Sequence, residues 1–182
     1  MRVHLIGPGG AGKSTTGPPL ARKLKLPFVD LDKMYLKTRS IDADVDEQGY
    51  EYYVRTNIEL YLDMLDRYPS GVIALSSGFM TYDSTFHPRI QQIHREILGD
   101  GSTVLLLPSF NLEECVTETL KRQLRKSHNR TSAEHQVDLI NKRFHIYKPM
   151  GNIKIATNKS TPAVVEDIVS QLSLSFVKNQ NI

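Results

Sequence analysis

The run GPGGAGKS, from Gly7 to Ser14, constrains this chain more than any other stretch. Gly-x4-Gly-Lys-Ser is a phosphate-binding pattern when a strand precedes it and a helix follows. Both flanks fit. Val3–Ile6 is a short apolar run stopped by Gly7, and Leu20–Leu26 has helical spacing ended by Pro27. Glycines let backbone N–H groups crowd around phosphate oxygens with no Cβ in the way. The spacing lets Lys13 reach the outer phosphates and Ser14 offer its hydroxyl to Mg²⁺, while the helix N-terminus adds partial positive charge. A strand–loop–helix unit of this kind belongs to a parallel α/β fold.

Pro18 and Pro19 stand where the following helix is already under way. They lack N–H groups, so the carbonyls of Ser14 and Thr15 lose their helical partners, and Gly17 weakens the same turn. A kink is expected just behind the cradle. The anion-binding donors lie at or before Thr16, so the cradle itself survives.

The rest of the chain repeats the alternation. Further strands are expected at Pro27–Asp32, Gly71–Leu75, Thr103–Pro108 and Asn152–Thr157. A long helix is expected from about Glu47 to Tyr68, with Tyr50, Val54, Ile58, Leu62 and Leu65 on one face. Others are expected between Pro88 and Leu98, after a cap at Asn111, from the capping box Thr131–Glu134 to about Tyr147, and from Thr161 onward. The fold class is α/β: a five-stranded parallel sheet with helices on both faces, three layers deep. No linker or repeat divides residues 1–182, so one domain is expected. It carries a flap around 126–133 and an acceptor-binding segment around 32–68.

Composition narrows the function classes. The formal charge of +3 suits an anionic ligand but is too small to argue for nucleic acid. Cys115 is the only cysteine, which excludes an internal disulfide. No stretch approaches the roughly 20 apolar residues of a membrane span. The opening apolar run is too short for a signal peptide, and a cytoplasmic monomer is expected. His87/His94 and His128/His135 are each seven apart, without the spacing of a metal cage.

Taken in order, the motifs resemble those of the shikimate kinases, small P-loop kinases of the nucleoside-monophosphate-kinase type. GPGGAGKSTTG is close to the family's opening, PFVDLDKMY matches a second strand ending in Asp-x-Asp, and VRTNIEL sits where an arginine lines the acceptor pocket. RFHIY matches an arginine followed four residues later by tyrosine, and IATNKSTPAVVEDI resembles the last strand and helix. The resemblance implies transfer from ATP, with Mg²⁺, to a hydroxyl of a small carboxylate-bearing acceptor, most directly shikimate, in aromatic amino acid biosynthesis.

It also implies roles. Gly9, Gly10, Ala11, Gly12, Lys13, Ser14 and Thr15 would hold the phosphates, with Arg122 and Lys159 near the rest of the nucleotide. Ser14 and Asp30 would hold the metal. Asp32 would orient the attacking hydroxyl, and Arg55 and Arg143 would clamp the carboxylate with their planar forks. Ser77 and Gly78 would face the acceptor, and Arg130 would fold over the transferred group; Arg125 is expected to be a solvated charge. The family usually has three glycines where this chain has Ser76-Ser77-Gly78, followed by Phe79. Side chains are expected to fill part of that space, which implies a shifted acceptor or a different one. Two other readings stay open: another small-molecule or nucleotide kinase of this fold, and an ATP-binding regulatory module without transfer.

Overall fold

The computed structural model describes residues 1–124 and 133–179. Strands β1 (Arg2–Ile6), β2 (Phe28–Asp30), β3 (Gly71–Ala74), β4 (Thr103–Leu107) and β5 (Ile153–Ala156) form one parallel sheet. Their order is β2-β3-β1-β4-β5. The helices are α1 (Lys13–Leu24), α2 (Leu31–Leu36), α3 (Ile41–Gln48), α4 (Tyr50–Arg67), α5 (Ile90–Gly99), α6 (Leu112–Leu124), α7 (Ala133–Tyr147) and α8 (Thr161–Asn179). The expected α/β architecture is the one observed.

Burial on both faces explains the near-continuous apolar strands. In β4, Leu105 and Leu107 join Ile58 and Met64 of α4 and Ile93 and Ile97 of α5 on one side. Val104 and Leu106 join Leu20 of α1 and Ile168 and Leu172 of α8 on the other. The central strand β1 lies between β3 and β4; after it the chain fills the β2–β3 side and then crosses to the β4–β5 side. In such sheets the ligand crevice opens at the carboxyl ends of the strands, where the winding reverses. The loop Gly7–Gly12 leaves β1 at that point.

Two helices carried expectations of detail. First, α1 runs from Lys13 to Leu24 and includes both prolines, which interrupt its hydrogen bonding without ending it. The carbonyls that lose their donors belong to Ser14 and Thr15, which are exposed, so water can serve them. Gly17 has a packing reason: a Cβ there would collide with the ring of Phe28 on β2. Second, the long helix expected from about Glu47 to Tyr68 is α4, and it begins at Tyr50; Gly49, at φ 89°, separates it from α3, which no expectation covered. Tyr50 is therefore a first-turn residue, 45 % exposed, rather than part of the buried face. That face is built by Tyr53, Val54, Asn57, Ile58, Tyr61 and Met64.

The cap at Asn111 is present, its Oδ1 accepting from the Glu114 N–H at 3.1 Å. Thr131, Arg125, Arg130 and nearly all of the expected flap lie outside the described residues. Among the described residues no helix is long and apolar enough to cross a membrane, and no group of acidic, histidine or cysteine side chains could cage a metal by itself.

Candidate active site

The loop after β1 is shaped by glycine where side chains cannot fit. Gly7 sits at φ 142°, and a Cβ on it would collide with the carbonyl oxygen of Leu106. Gly12 adopts a left-handed conformation at φ 99° as the residue before α1. No side chain caps that helix, which leaves its first turn open to an anion. Lys13 is only 7 % exposed, and its Nζ donates to the carbonyls of Gly7 at 2.6 Å and Pro8 at 3.1 Å. The ammonium is thus held inside the loop that it serves.

This loop forms the floor of a cavity of about 510 Å³. Gly9, Gly10, Ala11, Gly12, Lys13, Ser14 and Thr15 all line it, as do Arg122 and Lys159. Asp32 and Ser77 line the same cavity. A single space therefore joins the phosphate cradle to the ends of β2 and β3, and of the expected acceptor residues Asp32 and Ser77 line it while Arg55, Gly78 and Arg143 do not.

Arg122 has a structural task beside its expected one. Its Nη1 donates to the Gly10 carbonyl at 3.0 Å and to Thr157 Oγ1 at 2.9 Å, and its Nη2 donates to the Thr157 carbonyl at 2.7 Å. Thr157 Oγ1 also donates to the Ala11 carbonyl at 3.0 Å. The pair ties the cradle to the loop after β5. Thr157 went unnoticed in the sequence, where a threonine at a strand end carries no signal of its own. Lys159, in the same loop, is paired with Asp167 of α8.

Asp30 ends β2 and caps α2, its Oδ1 accepting from the Lys33 N–H at 3.2 Å. Its Oδ2 is buried with no hydrogen-bond partner. A buried carboxylate oxygen without a donor is costly unless something cationic or hydrated meets it. The donor set of Asp30 and the exposed Ser14, all oxygen, fits a hydrated Mg²⁺.

The exit of β3 differs from expectation in detail. The Ser76 side chain is buried and donates to Asn57 Oδ1 at 3.2 Å, and it is not part of the cavity wall. Phe79 is fully buried and packs on Tyr61 and Tyr82. Of the departures from the glycine triplet, only Ser77 enters the cavity wall. Its carbonyl accepts from the Tyr147 hydroxyl at 3.0 Å.

Gly78 remains bare, and its surroundings show why. A Cβ there would stand 3.1 Å from Tyr82 Cε1, 3.2 Å from Arg143 Nη2 and 3.5 Å from the Tyr50 hydroxyl. Tyr53 and Tyr82 share a hydroxyl–hydroxyl bond of 3.3 Å. Burial, chiefly, pushes Tyr53 up to about 12 and raises Tyr82 and Tyr147 well above the ordinary phenol range, and the nearby Asp32 carboxylate adds to each rise. These phenols stay protonated across the physiological range. Tyr50, Tyr82 and Arg143 pack around Gly78, next to Ser77 in the cavity wall.

The two arginines expected to clamp together are not alike. Arg143, half-buried on α7, has no acidic partner within ion-pair distance among the described residues. Arg55 is 51 % exposed and pairs with Glu51 at 2.7 Å, one turn back on α4. It does not line the cavity. At the start of α4, the face that buries Tyr53 and Val54 turns Arg55 toward solvent, where an i,i+4 acid satisfies it.

The family model for shikimate kinase matches residues 9–173. The chain belongs to the shikimate kinase family. It is a small-molecule kinase whose acceptor group is a hydroxyl. A shikimate kinase of Francisella tularensis subsp. novicida (strain U112) is 29 % identical over 181 residues, covering 97 % of this chain and 94 % of that one. The solved shikimate kinase of Aquifex aeolicus aligns with a TM-score of 0.71 at 26 % identity, covering 97 % of this chain and 99 % of the other. That of Acinetobacter baumannii, in complex with shikimate, has the same fold: TM-score 0.71 at 24 % identity, covering 96 % and 93 %.

Proposed function

We propose that this kinase transfers the γ-phosphoryl group of ATP to a ring hydroxyl of shikimate, the reaction that serves aromatic amino acid biosynthesis. The observation that carries the reading is the continuous cavity, with a phosphate cradle at one end and Asp32 and Ser77 at the other. Phosphoryl transfer asks a protein mainly for positioning and charge stabilisation. This cavity offers both.

The cradle N–H groups and Lys13 hold the phosphates, and Asp32 accepts a hydrogen bond from the attacking hydroxyl. That hydroxyl oxygen forms the new bond to the γ-phosphorus as the bond to the β–γ bridging oxygen breaks. Its proton passes to Asp32, and ADP departs. Lys13 and Arg130 counter the charge on the transferred group, Arg130 being assigned on the sequence resemblance alone. Mg²⁺, held by Ser14 and through water by Asp30, would neutralise phosphate charge. Residues 32–68 supply the acceptor-binding segment of a single domain.

The test is ADP release measured across a panel of polyhydroxy acids and nucleoside monophosphates. Shikimate-dependent release with the other acceptors near background is the expected result. Efficient turnover of another acceptor, with none of shikimate, would replace this assignment.

A further inference from the structure

Asn57 is the one amide on the buried face of α4, and it is fully enclosed. Its neighbours along that face are Tyr53, Val54, Ile58, Tyr61 and Met64, all members of the same apolar core. Its Oδ1 accepts from the Ser76 hydroxyl at 3.2 Å, and its Nδ2 has no hydrogen-bond partner among the described residues. A half-satisfied amide in an apolar core is costly, and an apolar pair of the same shape would be as stable or more so. Packing therefore gives no reason for an asparagine here. The reason lies in what it holds.

Ser76 is where the chain leaves the sheet. Leu75 still bonds to β1, its N–H donating to the Leu5 carbonyl at 3.1 Å. Beyond it, side chains from other elements hold the backbone. The buried Ser76 hydroxyl meets Asn57 and also the Tyr53 hydroxyl, one turn back on α4. The Ser77 carbonyl accepts from Tyr147 of α7 at 3.0 Å. His94 of α5 donates through Nε2 to the Phe79 carbonyl at 2.8 Å. The Phe79 N–H closes a turn onto the Ser76 carbonyl at 3.0 Å. Ser77 thus sits between an anchor on α4 and an anchor on α7, and it lines the cavity together with Asp32.

We propose that Asn57 is a positioning residue for the phosphoryl acceptor: through its hydrogen bond to Ser76 it fixes the chain leaving β3, and with it the place of Ser77 in the cavity wall. The inference rests on the Asp32–Ser77 end being the acceptor end, and not on which acceptor it takes. Asn57 touches no reactant. It acts through alignment, and a displacement of about 1 Å can cost on the order of a hundredfold in rate. The pair exchanges some stability of the core for a fixed wall at the site.

The experiment compares Asn57→Leu, Ser76→Ala and the double variant with the wild type, by steady-state kinetics and thermal melting. The acceptor is the compound of the panel above that the wild type turns over fastest, shikimate being the expected one. Leucine keeps the approximate shape of asparagine, and the double variant removes both polar groups together. The double variant is expected to melt at or above the wild-type temperature, while its kcat falls about tenfold and its ATP KM stays within about twofold. Each single variant should lose the same tenfold, because either change breaks the one bond. Wild-type acceptor kinetics in the double variant overturn the proposal. A double variant that melts lower or does not fold overturns it too, because the pair would then be a core contact. So does a rise in ATP KM that matches the acceptor loss, which would mean a general distortion. Turnover of another acceptor in place of shikimate overturns the shikimate assignment alone, and the variants are then compared on that acceptor. A wild type that transfers to no acceptor overturns both.

Discussion

The two ends of the cavity are built in different ways. The phosphate end is mostly backbone: Gly7, Gly10 and Gly12 at positive φ, an uncapped helix start, and one lysine, all within Gly7–Ser14. The acceptor end is all side chain. Asp32 from the start of α2 and Ser77 from the exit of β3 line it, and Tyr50 of α4 and Arg143 and Tyr147 of α7 pack beside Ser77 and Gly78. A backbone cradle needs a contiguous run of residues with small or absent side chains, so it tolerates little variation in sequence. An acceptor site assembled from four separate elements can exchange one donor for another while keeping its chemistry. In the function proposed above, the first end holds the phosphates common to all nucleotides, and the second selects the molecule that receives the phosphate.

Four variants test that division, and the largest effect is expected at the phosphate end. Lys13→Ala removes the one side-chain cation that is buried in the loop. Steady-state turnover should fall by on the order of a thousandfold, and ATP affinity should fall with it. Near-normal turnover would show that the loop is not the phosphate cradle.

An intermediate effect is expected at the acceptor end, and for only one of its two candidate arginines. Arg143→Lys keeps the charge but loses the planar fork beside Gly78. The expected outcome is a rise in acceptor KM of about tenfold or more with a lower kcat, because a misplaced acceptor loses alignment as well as affinity. ATP KM should barely move. Arg55→Lys should change acceptor kinetics less than about twofold, since an exposed i,i+4 pair contributes only a few tenths of a kcal/mol. Kinetics in which the two variants suffer equally would restore the two-arginine clamp and erase the asymmetry between them.

The smallest effect on the site should come from Pro18→Arg combined with Pro19→Gln. Restoring two N–H donors inside α1 should raise thermal stability, by about 1–3 kcal/mol in a denaturant titration. ATP affinity should stay within about twofold, because both positions lie behind the anion-binding turn. A large loss of affinity would mean that the prolines help to shape the cradle, and the phosphate end would no longer be a local, self-contained structure.

The sequence by itself determined the layered α/β architecture, the identity of the cradle and the family. The architecture and the loop pattern rest on local rules: apolar period, capping, and the steric freedom of glycine within a few consecutive residues; the family rests on the resemblance of whole motifs. The same rules placed Asp30 at the end of a strand, where the structure has it, while Asp32 falls one residue into α2. They were silent or erred where the phase of an element or a partner from elsewhere in the chain decides. The long helix begins at Tyr50, after Gly49, rather than near Glu47, so Tyr50 is half-exposed in its first turn instead of on the core face. Arg55 follows the phase of α4 outward to Glu51, although an arginine was expected to line the pocket there. Ser76 turns inward to Asn57, and this leaves Ser77 alone in the cavity wall. Arg122 finds Gly10 and Thr157, which lie 112 and 35 residues away along the chain. Only the tertiary structure could decide these, because a side chain's direction depends on the phase of its own element and on which residues from elsewhere in the chain arrive beside it.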